Sequence, residues 1–364
     1  MHRTTRTRVK LICAITLVAA SACSDSTAPS VAPGFLGGTN GNHEIGLIVN
    51  SIGKTLTLFQ LGSPATQRQI PLGTSTTVTP TGLAVRGRRA AVPLGNAASI
   101  ALINLEAASV QRFFTFASGN ATGSAFSDDT TILAANTTTG MVGRATVGQI
   151  GDAITTTVKV AAQPTAITMA GGRALVTSSN LDENFVPIGN GVVTAVDPKT
   201  MQVIGTAQMG GINSTDAAVG PDGLLYVVNT GDYVAQGSLT IVNPSTMQVV
   251  TTIPNMGIGP GAISIDAGGL AYISSFSYGT IVWNTVTRTF VRGADNPVFA
   301  AAGGGRRGAA AATASSTGSL YQAFFGAPAL GQAPFVFVFK PGTFALTDSI
   351  PVGSGPITVA IKTF

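Results

Sequence analysis

Few residues in this chain have the right type for catalysis. Beyond the first ten residues there is one histidine, His43, beside Glu44. A histidine-based metal site or a Ser-His-Asp triad would have to use it. No Gly-x-Ser-x-Gly elbow surrounds a serine, so His43 reads as a solvated histidine at the start of the fold. Asp128-Asp129 and Asp182-Glu183 are paired carboxylates that could take Ca²⁺ with carbonyl help. Neither pair has the spacing of an EF-hand loop, and both read as turn or surface acids. Asp216, in STDAAV, is the one carboxylate inside an apolar segment of strand type. It either projects as a ligand or acid/base group, or bonds backbone amides near the start of its strand. Gly37-Gly38 and Gly303-Gly304-Gly305 have no strand-to-helix context, which argues against a phosphate cradle. Arg88-Arg89 and Arg306-Arg307 are short pairs that read as solvated. The expectation is no catalytic set, no metal and no cofactor.

One further reactive group is Cys23. Arg3, Arg6, Arg8 and Lys10 precede the short apolar run LICAITLVAASA, as in the n- and h-regions of a secretory signal. The run is too short to span a bilayer comfortably. Ala20-Ser21-Ala22-Cys23 resembles the lipobox of bacterial lipoproteins, with Ala20 where that pattern prefers Leu. The resemblance implies cleavage after residue 22 and diacylation of Cys23. The alternative is ordinary cleavage nearby, with a free thiol. Two acyl chains would anchor the protein without a spanning helix. Ser24 after the Cys favours the outer membrane, by analogy with proteobacterial sorting. Residues 23–43 are rich in Ser, Pro and Gly and read as a flexible tether, with order expected from about Ile45. Without residues 1–22 the chain keeps sixteen Lys and Arg against fifteen Asp and Glu, a net of +1. That removes the electrostatic motive for a nucleic-acid partner. One Cys remains, so no internal disulfide can form.

The elements that must position these groups are short strands. In Gly220 to Ile253, a GPDG turn leads into LLYVVN, a polar loop, SLTIVN, an NPST turn and MQVVTTI. β-Branched and aromatic residues dominate, without helical spacing. Asn243 can accept from the turn backbone and Pro244 fixes φ, a type I signature between antiparallel neighbours. Second strands end near Asn50, Asn96, Asn136, Asn180, Asn229, Ser275 and Phe325, at spacings of 46, 40, 44, 49, 46 and 50 residues. That is the period of a four-stranded propeller blade. The first unit lacks an opening strand, while PITVAI at the C-terminus resembles PTAITM and PGAISI. The last strand is therefore expected to complete blade one. Residues 296–308 read either as a long connection or as part of blade seven's inner strand.

On LYVVN…GSLTIVNPSTMQVVTTI and GVVTAVDPKTMQVIGTAQMG, the chain resembles the YVTN-type repeat family of seven-bladed β-propellers, from Glu44 to Phe364. The resemblance implies an all-β fold of seven four-stranded antiparallel blades, and export from a bacterial cell. It implies no particular activity.

In such a ring, loops between second and third strands share a face with the links between blades. The long insertions 180–191, 229–237 and 326–334 all fall there. Asp182, Glu183, Asn184, Phe185, Asp232, Tyr233, Phe276 and Tyr278 are the groups that could bind on it; tolerated variation in loop length is the alternative. Two functions follow. The first is a monomeric, non-catalytic envelope lipoprotein that binds a protein, peptide or glycan through this face. The second is a lactonase-like or lyase-like propeller enzyme with a metal or acid/base site at the channel mouth. Three or more carboxylates and amides converging at one mouth would favour the enzyme, and an Ala, Gly and Thr lining the binder.

Overall fold

LYVVN, Leu225–Asn229, is buried at all five positions, whereas QVVTTI, Gln248–Ile253, is buried at none. A strand alternates its side chains between two faces, so a run buried throughout must be covered on both sides. Here the covers are the neighbouring blades. Tyr226 and Val228 pack with Ile263, Ile273 and Trp283 of the next blade. Leu225 and Val227 pack with Leu175, Val193 and Ala195 of the preceding one. Seven apolar clusters recur in this way, one between each pair of adjacent blades.

A computed structural model describes residues 35–38, 41–302, 305–327 and 331–364; Cys23 and residues 1–34 lie outside them. The described residues form seven four-stranded antiparallel sheets arranged as blades, and no helices. The inner strands of blades two to seven are Ala84–Arg86, Ala121–Phe126, Pro164–Ala170, Ser214–Val219, Pro260–Ile265 and Ala311–Ala314. Blade one takes its inner strand from the other end of the chain. Pro356–Thr363 pairs antiparallel with Glu44–Asn50, Leu47 opposite Ala360 and Ile48 opposite Val359. Ile48 and Phe59 of blade one then pack on Ala323, Val336 and Val338 of blade seven, closing the ring.

The turns between third and fourth strands follow the sequence chemistry. Asp197 Oδ1 accepts from the N–H of Lys199 and Thr200, and Asn243 and Asn284 repeat the device. The residue closing each turn, Met201, Met247 or Arg288, is left-handed at φ 55–57°.

One region departs from expectation, and the fold decides or adds two others. Packed structure starts earlier than Ile45: Phe35 and Leu36 are buried in the cluster between blades one and two. His43 is consequently half-buried rather than solvated, with Nδ1 3.3 Å from the Phe35 carbonyl oxygen and 3.1 Å from Gln60 Nε2. The described residues of 296–308 form a connection, the first of the two readings, and not an inner strand. They carry a small hairpin, Ala300–Ala302 with Gly305–Arg307, held to the ring where buried Gln322 Nε2 donates to Val298 O. Finally, the connection 147–155 in blade three is long and lies on the face of tight turns. Arg112 organises it, donating to the carbonyls of Val147, Gln149 and Gly151 and pairing with Asp152 at 2.6 Å.

Candidate binding face and channel mouth

The long loops of blades four and five share one construction. In blade four, Asp182 Oδ1 accepts from the N–H of Asn184 (2.8 Å) and Val186 (2.9 Å). In blade five, Asp232 Oδ1 accepts from Val234 (2.9 Å) and Ala235 (2.8 Å). Those two N–H donors hold the Asp232 carboxyl below the usual range. Each loop then sets an aromatic residue in the left-handed region, Phe185 at φ 62° and Tyr233 at φ 64°. A bulky side chain seldom adopts that conformation without constraint. The two aspartates thus shape loops whose exposed groups are apolar: Phe185 (72% exposed), Val186, Ile188, Tyr233 (65%) and Val234 (80%). Glu183 and Asn184 are exposed beside them. Tyr233 leans toward blade six, its ring packing over Gly259 in the connecting link.

Blade six contributes Phe276 and Tyr278. Phe276 is 60% exposed and meets Phe325 edge-on, with ring centroids 5.9 Å apart. Tyr278 is half-buried against the link at Gly257. The fold therefore sets all eight predicted residues on the second-to-third-strand loops of three successive blades. Their polar and apolar members divide the work differently from the sequence expectation. Asp182 and Asp232 act on their own loops, whereas Val186, Ile188 and Val234, which sequence reasoning passed over, are among the exposed tips. Their signal was present: an aliphatic residue in a loop between two completed strands has no core to enter.

The channel mouth is the second feature of this face. A cavity of about 480 Å³ is lined by the first halves of six inner strands, by Thr81, Gly82 and Leu83 just before that of blade two, and by Phe276. Its walls are mainly Gly, Ala, Thr, Ser and aliphatic residues, among them Thr122, Thr165, Thr168, Ser264 and Thr358. Asp216 is the only titratable side chain in the lining. Its Oδ1 accepts from Ala217 N–H at 2.9 Å, and its Oδ2 from Ile263 N–H of the next blade at 3.0 Å. Asp216 thus bonds backbone amides, tying two inner strands together, and its side chain also lines the channel. Exposed only to the channel, the carboxyl is pushed up to about 6 by burial, which outweighs the two N–H donors.

Hydroxyls complete the inner ring. The residue after a second strand donates to the carbonyl that opens the next inner strand: Thr137 to Pro164 (2.7 Å), Ser179 to Ser214 (3.0 Å), Thr230 to Pro260 (2.7 Å). Among the described residues, no three of His, Cys, Asp and Glu gather where a metal ion could be held. Asp128 is engaged locally. Hydrogen bonds from Thr130, its N–H first, lower its carboxyl to about 2.

No family model and no curated protein matches the chain. Among solved structures, hydrazine synthase of Kuenenia stuttgartiensis shares the fold, with a TM-score of 0.62 over 80% of this chain and 97% of that one. The two are 11% identical, so the likeness is one of fold. Some 1400 solved chains match the structure, too many for the architecture to select an activity.

Proposed function

We propose that this protein is a binding module of the bacterial cell envelope, a propeller of the YVTN-repeat type that docks a macromolecular partner through the loop tips of blades four to six. The observation that carries this reading is the set of exposed apolar side chains at the loop tips: Phe185, Val186 and Ile188, then Tyr233 and Val234, on the Asp-braced loops of blades four and five, and Phe276 of blade six. Large apolar side chains exposed at loop tips are characteristic of interaction sites. The Gly, Ala and Thr lining of the channel also supports a binder over the enzyme reading.

Envelope location rests on the N-terminal sequence: the basic start, the apolar run, and Ala20 to Cys23. The proposed anchor is diacylation of Cys23, with the outer membrane as destination and the protein monomeric. Radiolabelled palmitate should enter the wild-type protein and not Cys23→Ser; equal labelling would refute the anchor. For the binding face, the full-length protein is cross-linked in its native membranes and compared with a Phe185→Ser/Val186→Ser/Tyr233→Ser variant. The expected result is one cross-linked species present with wild type and lost with the variant. Identical species from both would remove the case for this face.

A further inference from the structure

The channel mouth has features the loop tips do not explain. A cavity of about 480 Å³ falls within the roughly 300–1,000 Å³ typical of small-ligand sites. Its wall combines one carboxylate, several hydroxyls and an aromatic ring at the rim. No basic side chain is in the lining around Asp216, where the seven blades present Thr, Ser, Gly, Ala, Leu, Ile and Val. The charge on Asp216 therefore has no counter-ion within the lining. Each carboxylate oxygen takes one backbone N–H, which leaves acceptor capacity on both.

We propose that the channel mouth binds an organic cation, a primary ammonium carried on an apolar stem, with Asp216 as its counter-charge and the Phe276 ring as a wall beside it. Such a group is matched at both ends. The ammonium has three donors for Asp216 and the neighbouring Thr hydroxyls, and a cation near an aromatic face gains further attraction. The Ala, Gly and Ile walls suit the stem. Phe276 is held at the rim from two sides. Phe325 meets it edge-on. Gly308 passes so close beneath the Phe276 carbonyl that no Cβ would fit there. This inference deepens the binding reading of the face, but it rests on the cavity and not on the loop tips.

The test is calorimetric titration of the full-length protein with hexylammonium chloride, using 1-hexanol and sodium hexanoate as neutral and anionic controls. Saturable 1:1 binding is expected for hexylammonium alone. Asp216→Asn should weaken it at least tenfold, and Phe276→Ala about threefold to tenfold. The affinity should fall about tenfold between pH 7.5 and pH 5 as the carboxyl protonates. That pH dependence and the Phe276→Ala result keep the test decisive if Asp216→Asn fails to fold. Equal binding of 1-hexanol, no saturable binding of hexylammonium, or an affinity independent of pH would overturn the proposal. The loop-tip variant separates the two readings: it should lose the cross-linked partner and still bind hexylammonium.

Discussion

The two faces of the ring treat their charged residues in opposite ways. On the tight-turn face, arginines reach across to the following blade. Arg86 of blade two pairs with Asp129 of blade three at 2.7 Å. Arg144 donates to the Lys199 carbonyl of blade four, and Arg173 to the Ser245 carbonyl of blade five at 2.9 Å. Arg292 bonds Thr343 O of blade seven at 3.1 Å. On the loop face, over blades four to six, Glu183 forms no ion pair among the described residues, and aromatic and aliphatic tips stand in solvent. On one face charged side chains cross between blades at the rim; on the other, hydroxyls and Asp216 do so around the channel, while the outer loop tips stand free. A protein sacrifices little stability by keeping such a surface free only if the ring is secured elsewhere.

The largest effect that would break this contrast comes from the ring itself. A chain ending at Gly355 loses the inner strand of blade one, and both faces should fail together. Loss of a cooperative melt and of near-UV dichroism is expected, and retention of a sharp melt would show that the ring does not need its tail. Next comes Asp216. Its carboxyl is raised from 3.8 to about 6 in the folded protein, so the folded state holds the proton more tightly than the unfolded chain. Stability should be greatest below pH 4 on this account and decline as pH rises to about 6, by at most about 3 kcal/mol. Asp216→Asn should flatten that slope in denaturant titrations run from pH 4 to 7. On the tight-turn face, Arg173→Ala removes a charged donor to two carbonyls and should cost about 1–2 kcal/mol, with partner capture unaltered. The smallest effect on folding belongs to the loop tips: Phe185→Ser with Tyr233→Ser should change stability by no more than about 0.5 kcal/mol per site while abolishing partner capture. A large loss of stability there would make the tips structural and erase the distinction between the faces.

Much of the architecture could be read from the chain because blade chemistry is local. LYVVN is bounded by a DG turn and an Asn, NPST supplies its own hydrogen bonds, and PITVAI at the tail matches the openings of other blades. Phe35 and Leu36 were hidden because a Ser, Pro and Gly stretch gives no periodicity, and two apolar residues show their destination only once blades one and two form a groove. The hairpin after blade six escaped because FAAAGGGRRG alternates nothing. At the site, residue types were legible but their directions were not. Asp182 and Asp232 read in sequence as surface groups that could bind, and only the fold shows their oxygens turned onto their own loops. Asp216 faces the channel and also bonds Ile263, forty-seven residues away, a partner that no local pattern could announce.

The pairing of Glu44–Asn50 with Pro356–Thr363 brings the start and finish of the ring to one spot: His43 and Phe364 exchange backbone hydrogen bonds at 3.3 and 3.1 Å. That spot lies at the tight-turn side, because Glu44–Asn50 runs from there toward the long loops. Under the proposed acylation of Cys23, the disc would hang from this arginine-stapled side, with Phe185 and Tyr233 on the far one. A pull from the N-terminal side would meet Phe35 and Leu36 before it reached that ladder.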